Sequence, residues 1–306
     1  MIIITAPVHP IFIETLEQKG FTYRYVPACN YEELRNLIHE ANGLVVSTNI
    51  TIDKTLIDIG KSLKWIARLG SGMEHIDVAY AQTKSIVCLS SPEGNSNAVA
   101  EHALGLLIAL MRNIHKSAQE VKSHLWIREE NRGQEISGKT IGIIGYGNTG
   151  SRFATLLSSF DARILVYDKY KTGIKDAYVA EADLPTLLET SDIISFHVPL
   201  NEETRYMANS SFFANLHQQP ILINTSRGGV IDTNALIEAL TQKRISGAVL
   251  DVLENERPST FSVKEREQYN FLTHQSNVII TPHIAGYSQQ SWYKLSQILL
   301  EKLQIL

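Results

Sequence analysis

Thr140-Ile141-Gly142-Ile143-Ile144 is a short apolar run of strand length, and Gly145-Tyr146-Gly147-Asn148-Thr149-Gly150 follows it directly. The residues after it, to about 160, read as a helix. A Gly-x-Gly-x-x-Gly between a strand and a helix is the arrangement that cradles a dinucleotide. Gly145 permits the tight turn, Gly147 the close approach of a pyrophosphate, and Gly150 the packing of helix on strand. Free amides at the helix start suit phosphate oxygens, and Tyr146, Asn148 and Thr149 of this loop are expected at the cofactor. The next strand-like run, 163–167, ends at Asp168, which lies 23 residues beyond Gly145. A carboxylate is expected near that offset to bind the adenine ribose. Two unit charges about 4 Å apart repel by roughly 4 kcal/mol at an effective dielectric near 20, so Asp168 disfavours a 2′-phosphate there. The expected cofactor is therefore NAD rather than NADP, a preference that Lys169 and Lys171 soften.

Three later segments repeat the pattern of an apolar run that ends on ionisable groups. Residues 221–224 lead into Thr225-Ser226-Arg227-Gly228-Gly229, residues 247–250 into Asp251 and Glu256, and residues 278–281 into Pro282-His283. If these runs are parallel strands of one sheet, their carboxyl ends share an edge, where open α/β sheets bind ligands. A guanidinium, a carboxylate and an imidazole then converge on one crevice.

The alternation extends to both ends of the chain. Strands are expected at 1–6, 21–27, 43–47, 63–68 and 86–89, with helices at 31–40 and 53–60. The pattern restarts at 140, and further strands are expected near 163, 192, 220, 246 and 277. Such alternation argues for parallel sheets covered on both faces. The fold class is thus α/β with two doubly wound domains. Junctions are expected near Ser91-Pro92-Glu93-Gly94-Asn95 and Ala285-Gly286, and a final helix from about 288 returns to the first domain. That gives residues 1–94 and 287–306 to one domain and 95–286 to the other.

Composition narrows the function classes. The 306 residues are 44% hydrophobic and 20% charged, with a formal net charge of −4. Mild acidity without a dense Lys/Arg block gives no support for nucleic-acid binding. Two cysteines, Cys29 and Cys88, argue against a disulfide framework or a zinc site. With no secretory leader evident, the expected location is a reducing cytoplasm. Residues 98–111 are apolar nearly all the way round, yet short of the roughly 20 residues that span a bilayer. A helix without a polar face is buried on several sides, so a homodimer through the 98–130 region is expected.

Taken in order, these motifs resemble the D-isomer-specific 2-hydroxyacid dehydrogenases over most of the chain. The resemblance runs through Leu69-Gly70-Ser71-Gly72-Met73-Glu74-His75-Ile76-Asp77, a glycine-containing substrate loop, and through 95–101, a hinge and long helix. It continues through the nucleotide motif, through His197-Val198-Pro199-Leu200 beside the cofactor, and through Arg227-Gly228-Gly229 and Pro282-His283-Ile284-Ala285-Gly286. It implies a Rossmann NAD-binding domain and a flavodoxin-like substrate domain. Arg227 is then the clamp for a substrate carboxylate, a task that suits the two parallel hydrogen bonds of a guanidinium. His283 is the acid–base residue, Glu256 its partner, and no metal takes part. The resemblance also assigns Asp251 to the nicotinamide carboxamide, and His197, Val198, Pro199, Thr225 and Ser226 to the cofactor's border. Arg68, Ser71, Gly72 and Met73 fall to the substrate.

Where this family has Glu-Pro, the chain reads Glu254-Asn255-Glu256-Arg257-Pro258. Glu256 is chosen over Glu254 by its offset of five from Asp251. Arg68 and Ser96 look most like the phosphoglycerate dehydrogenase branch, whereas Ser47 stands where that branch often has another arginine. The expected substrate is 3-phospho-D-glycerate or its keto form, which implies serine biosynthesis. Glyoxylate or hydroxypyruvate and D-lactate compete, and so does an NAD-responsive corepressor-like binding protein. Ending at Leu306, the chain is expected to lack an appended serine-sensing domain.

Overall fold

A computed structural model describes residues 1–305, and its chain divides into two compact units, Met1–Ala98 with Tyr287–Leu306, and Val99–Gly286. The first division falls four residues beyond the expected 94/95 boundary, inside the helix Ser96–Met111.

The first unit is built on five parallel strands, β1 (Ile2–Ile4), β2 (Tyr23–Tyr25), β3 (Gly43–Val46), β4 (Trp65–Arg68) and β5 (Val87–Ser90), in the order β2-β1-β3-β4-β5. That is the flavodoxin-like order 2-1-3-4-5. Expected at 21–27, β2 is shorter because it is an edge strand that pairs on one side only, with β1. Alternating residues of β1 serve opposite faces: Ile3 packs with Leu34, Leu44 and Ile66, while Ile2 and Ile4 pack with Phe12, Leu299 and Leu300. Those leucines belong to the last helix, Gln289–Lys302, which Ser288 caps and which closes this face. The helix expected at 31–40 is α-helical over Tyr31–Leu37, where Asn30 and Glu33 form a capping box, and continues as a 3₁₀ turn.

The second unit carries seven parallel strands, β6 (Thr140–Ile144), β7 (Arg163–Tyr167), β8 (Ala180–Glu181), β9 (Ile193–Phe196), β10 (Ile221–Asn224), β11 (Gly247–Leu250) and β12 (Val278–Ile280). Their order, β12-β11-β10-β9-β6-β7-β8, is a Rossmann order with one further strand, and it reverses between β6 and β9. Ile141 and Ile143 pack with Phe153 and Leu157 under Ala100, Ala103 and Leu107, whereas Ile144 joins Ile194, Phe196 and Leu222 on the other face. Both faces of the sheet are therefore core, which explains the continuously apolar strands.

Within the single chain, helix Ser96–Met111 is buried along one stripe. Only Val99, Ala100, Ala103, Leu107 and Met111 are buried. The helix that follows, Ile114–Lys122, has no buried residue. Among the described residues no helix is long and apolar enough to cross a membrane, and no group of three His, Cys, Asp or Glu side chains could hold a metal.

Candidate active site

The nucleotide loop leaves β6 at the point where the strand order reverses. Gly145 has φ +93°, and a Cβ there would lie 2.5 Å from the His197 carbonyl oxygen. A Cβ on Gly150 would lie 2.0 Å from the Gly145 carbonyl oxygen, while one on Gly147 would meet nothing within 4 Å. Two glycines thus let backbone pass close to backbone, and the third leaves open space. Gly147 is also the N-cap of the helix Asn148–Leu157, and no side chain satisfies that helix's first amides.

Asp168, at the end of β7, accepts from the Tyr146 amide at 2.7 Å and from the Tyr170 and Lys171 amides at 2.9 and 3.1 Å. The loop after β7 is tied back further by the Tyr146 hydroxyl, which donates to Asp176 at 2.6 Å. Both lysines beside Asp168 are engaged: Lys169 pairs with Glu203 at 2.7 Å and Lys171 donates to the Tyr146 carbonyl at 2.8 Å. On the neighbouring strand end, the His197 amide donates to Ile144 O, and its ring contacts Ser195 Oγ at 2.9 Å and Phe153. Burial of the ring pushes the His197 pKa down to about 3, so the imidazole is neutral at physiological pH. Val198 packs against Gly145, and the Pro199 carbonyl accepts from Thr204.

Strands β10, β11 and β12 are adjacent and parallel, so Arg227, Glu256 and His283 all leave one edge. Asn224 organises the first turn: its side-chain Oδ1 accepts from the Ser226 amide and hydroxyl at 3.0 and 2.8 Å, and its Nδ2 donates to Arg227 O. The Arg227 guanidinium is half-buried and donates to Ser226 O at 2.7 Å. Beyond β12, His283 Nδ1 lies 2.9 and 3.1 Å from the two Glu256 carboxylate oxygens. Both side chains remain open to solvent, at 47% and 41%. Glu254 is occupied elsewhere, accepting from the Tyr206 hydroxyl and the Thr233 amide. With Nδ1–H directed at the carboxylate, the other ring nitrogen, Nε2, is left for a reacting proton.

Asp251, expected at the nicotinamide carboxamide, directly follows β11. Its side chain is wholly buried. Oδ1 accepts from the Thr281 hydroxyl at 2.6 Å and the Ile284 amide at 2.9 Å, and Oδ2 from the Ala285 amide at 2.8 Å. Burial alone pushes this carboxyl up, but hydrogen bonds from His102, Thr281 and the amides of Ala285 and Ile284 outweigh it and hold the carboxyl below its usual range. Residue spacing gave no sign of this role, because the partners come from segments remote in sequence.

In the first unit, the end of β4 places Arg68 over the glycine loop. Its guanidinium occupies the space that a Cβ on Gly70 would need, and Gly70 has φ +138°. The loop is fastened to the end of β5 by Gly70 and Ser91 and by the Ser71 hydroxyl, which donates to Asn95 at 2.9 Å. Gly72 lies within the loop, and Met73 packs against this unit's core.

Open space over Gly147, a helix start without a side-chain cap, and a buried Thr225 Oγ1 with no partner at the end of β10 all fit a dinucleotide on this edge. The sheet order, the switch-point loop and the His283–Glu256 pair are the features expected of a nucleotide-dependent dehydrogenase. The sequence profile of the D-isomer specific 2-hydroxyacid dehydrogenase NAD binding domain matches residues 104–285. The chain is 37% identical over 272 residues to a hydroxypyruvate reductase of Thermotoga maritima, covering 89% of this chain and 87% of that one. It is 33% identical to a D-3-phosphoglycerate dehydrogenase of Methanocaldococcus jannaschii over 99% of its own length but 56% of the relative's. A D-lactate dehydrogenase from Aquifex aeolicus, solved with NAD and lactic acid, superposes with a TM-score of 0.86 at 27% identity, covering 99% of this chain and 94% of that one. The chain belongs to the D-isomer-specific 2-hydroxyacid dehydrogenase family, whose members are oxidoreductases that act on the CH–OH group with NAD.

Proposed function

We propose that Arg227, Glu256 and His283 carry the reaction of this enzyme at C2 of a 2-hydroxy or 2-keto acid. The observation that supports the reading best is their delivery from three adjacent strand ends, with His283 Nδ1 2.9 Å from Glu256. When bound, NAD supplies the redox chemistry at its nicotinamide, held by the 145–150 loop, Asp168 and the segments bordering His197, Val198, Pro199, Thr225 and Ser226. Arg227 binds the substrate carboxylate and polarises the C2 oxygen. Glu256 fixes the His283 tautomer, and Nε2 takes the alcohol proton in oxidation or returns it in reduction. Asp168 favours NAD over NADP.

For substrate we favour 3-phospho-D-glycerate and its keto form, which places the enzyme in serine biosynthesis, with Arg68 as phosphate ligand beside Ser71, Gly72 and Met73. The 37% identity to a hydroxypyruvate reductase supports a second reading, hydroxypyruvate or glyoxylate. Following NADH absorbance with 3-phosphohydroxypyruvate, hydroxypyruvate, glyoxylate and pyruvate separates them by kcat/KM. Preference for the phosphorylated acid supports Arg68 in that role, and preference for another removes it.

We further propose a cytoplasmic homodimer formed through the 98–130 region. The support is an apolar surface on one stretch of chain, with Ile114, Val121 and Leu125 about half exposed and Trp126 82% exposed. A mass measurement in solution tests it, and Trp126→Glu should shift the population toward monomer.

A further inference from the structure

His102 lies on the helix Ser96–Met111, and its ring meets the loop that carries His283. Its Nε2 is 3.1 Å from Thr281 Oγ1 and 3.5 Å from Asp251 Oδ1. The Thr281 hydroxyl already donates its proton to Asp251 at 2.6 Å. A hydroxyl has one proton, so His102 Nε2 must be the donor in its contact with Thr281. Asp251 in turn holds the His283 loop from three directions. Its backbone carbonyl accepts from the His283 amide at 2.8 Å, and its carboxylate accepts from the amides of Ile284 and Ala285. His283 has φ +55°, a backbone state that a residue with a Cβ keeps only when its surroundings impose it.

The helix and the 284–286 turn are also the two segments by which the chain enters and leaves this unit. One buried carboxylate joins both to the loop between them. We propose that His102 is a positioning residue for the reaction at C2, donating from Nε2 into the Thr281–Asp251 pair and so fixing the left-handed turn that presents His283. This rests on the acid–base role proposed above for His283. Removing the donor leaves Thr281 and Asp251 in place but loosens the turn, so the geometry of proton transfer suffers before ligand binding does.

The experiment compares the wild-type chain with His102→Ala, His102→Gln and Thr281→Val. It measures amide hydrogen exchange at Ile284 and Ala285, NADH affinity, and kcat and KM for the best keto acid. His102→Ala should speed exchange at both amides by about tenfold or more. Its kcat should fall by about 10- to 100-fold, while KM and NADH affinity stay within about threefold. His102→Gln, whose side-chain amide reaches the Nε2 position and can donate, should recover most of both losses, and Thr281→Val should repeat the defect. Unchanged exchange in His102→Ala would overturn the proposal. So would a His102→Gln as impaired as His102→Ala, or a KM that worsens as much as kcat. If the wild type turns over no 2-keto acid, the proposed function fails by itself, and the exchange measurements still decide whether His102 holds the loop. Should His102→Ala not fold, Gln and Val retain the same comparison.

Discussion

Two loops on the carboxyl edge of the seven-stranded sheet turn the chain through left-handed backbone, and they do so by opposite means. The nucleotide loop uses Gly145 at φ +93°, where no side chain is wanted because the His197 carbonyl fills the space. The other loop puts His283 at φ +55°, where an imidazole is wanted and the backbone must be constrained instead. Glycine reaches that region freely, whereas an L-residue gives up about 1–2 kcal/mol. Asp251 offsets that cost with a buried carboxylate and a carbonyl. A binding surface can be made of bare backbone, but a proton-transfer group needs both its side chain and an anchor.

The largest effect should separate the loops by what they control. His283→Ala should lower kcat by about 10²- to 10⁴-fold, and Arg227→Gln should also lower turnover by orders of magnitude. Both should leave NADH affinity, measured by fluorescence titration, nearly intact. Gly145→Ala should do the reverse, because its Cβ meets backbone at 2.5 Å in a left-handed conformation. NADH binding should weaken by about tenfold or more, with about 1–3 kcal/mol lost in urea unfolding. An alanine at 145 that binds NADH as the wild type does would remove the nucleotide half of the comparison.

Strand order and strand ends were readable because they depend on local signals. Apolar runs, glycine spacing and the residues that follow each run lie within a few positions of one another, and adjacency of β10, β11 and β12 follows from consecutive crossovers. The anchoring of the His283 loop was not readable. His102 and Thr281 are 179 residues apart and Asp251 and Ala285 are 34 apart, so no period or motif joins them. The resemblance assigned Asp251 to the cofactor, and its burial beneath the His283 loop was invisible in the sequence. The two-residue strand β8 escaped for another reason: Ala180 and Glu181 are both exposed, and an edge strand with no inward face leaves no pattern.

The anchor should fail in acid. Because hydrogen bonds hold the Asp251 carboxyl below its ordinary value near 3.9, the unfolded chain takes up the proton first as pH falls. Its contribution to stability is complete above that ordinary value and is lost as pH drops through the folded one. Asp251→Asn places a donor where amides already donate, and should lower stability at neutral pH by about 1–3 kcal/mol. Urea unfolding of the two proteins should show that gap narrowing as pH falls toward about 3. A gap that stays constant would mean that the carboxylate charge is not what anchors the loop.

The smallest effect tests the strain itself. His283→Gly and His283→Ala both remove the imidazole and its contact with Glu256, so activity cannot tell them apart. They differ in the backbone: alanine retains the Cβ that resists φ +55°, and glycine does not. In a helix or strand the glycine variant would be the less stable, since it has more freedom to lose on folding. At a left-handed position the order reverses, and His283→Gly should exceed His283→Ala by about 1 kcal/mol in urea unfolding. Combining each with Asp251→Asn sharpens the point. If the carboxylate is what holds the turn against strain, its removal should harm the alanine protein more than the glycine protein, because only alanine still needs to be held. Equal losses in the two would show that Asp251 stabilises the sheet edge in general rather than the turn that presents His283.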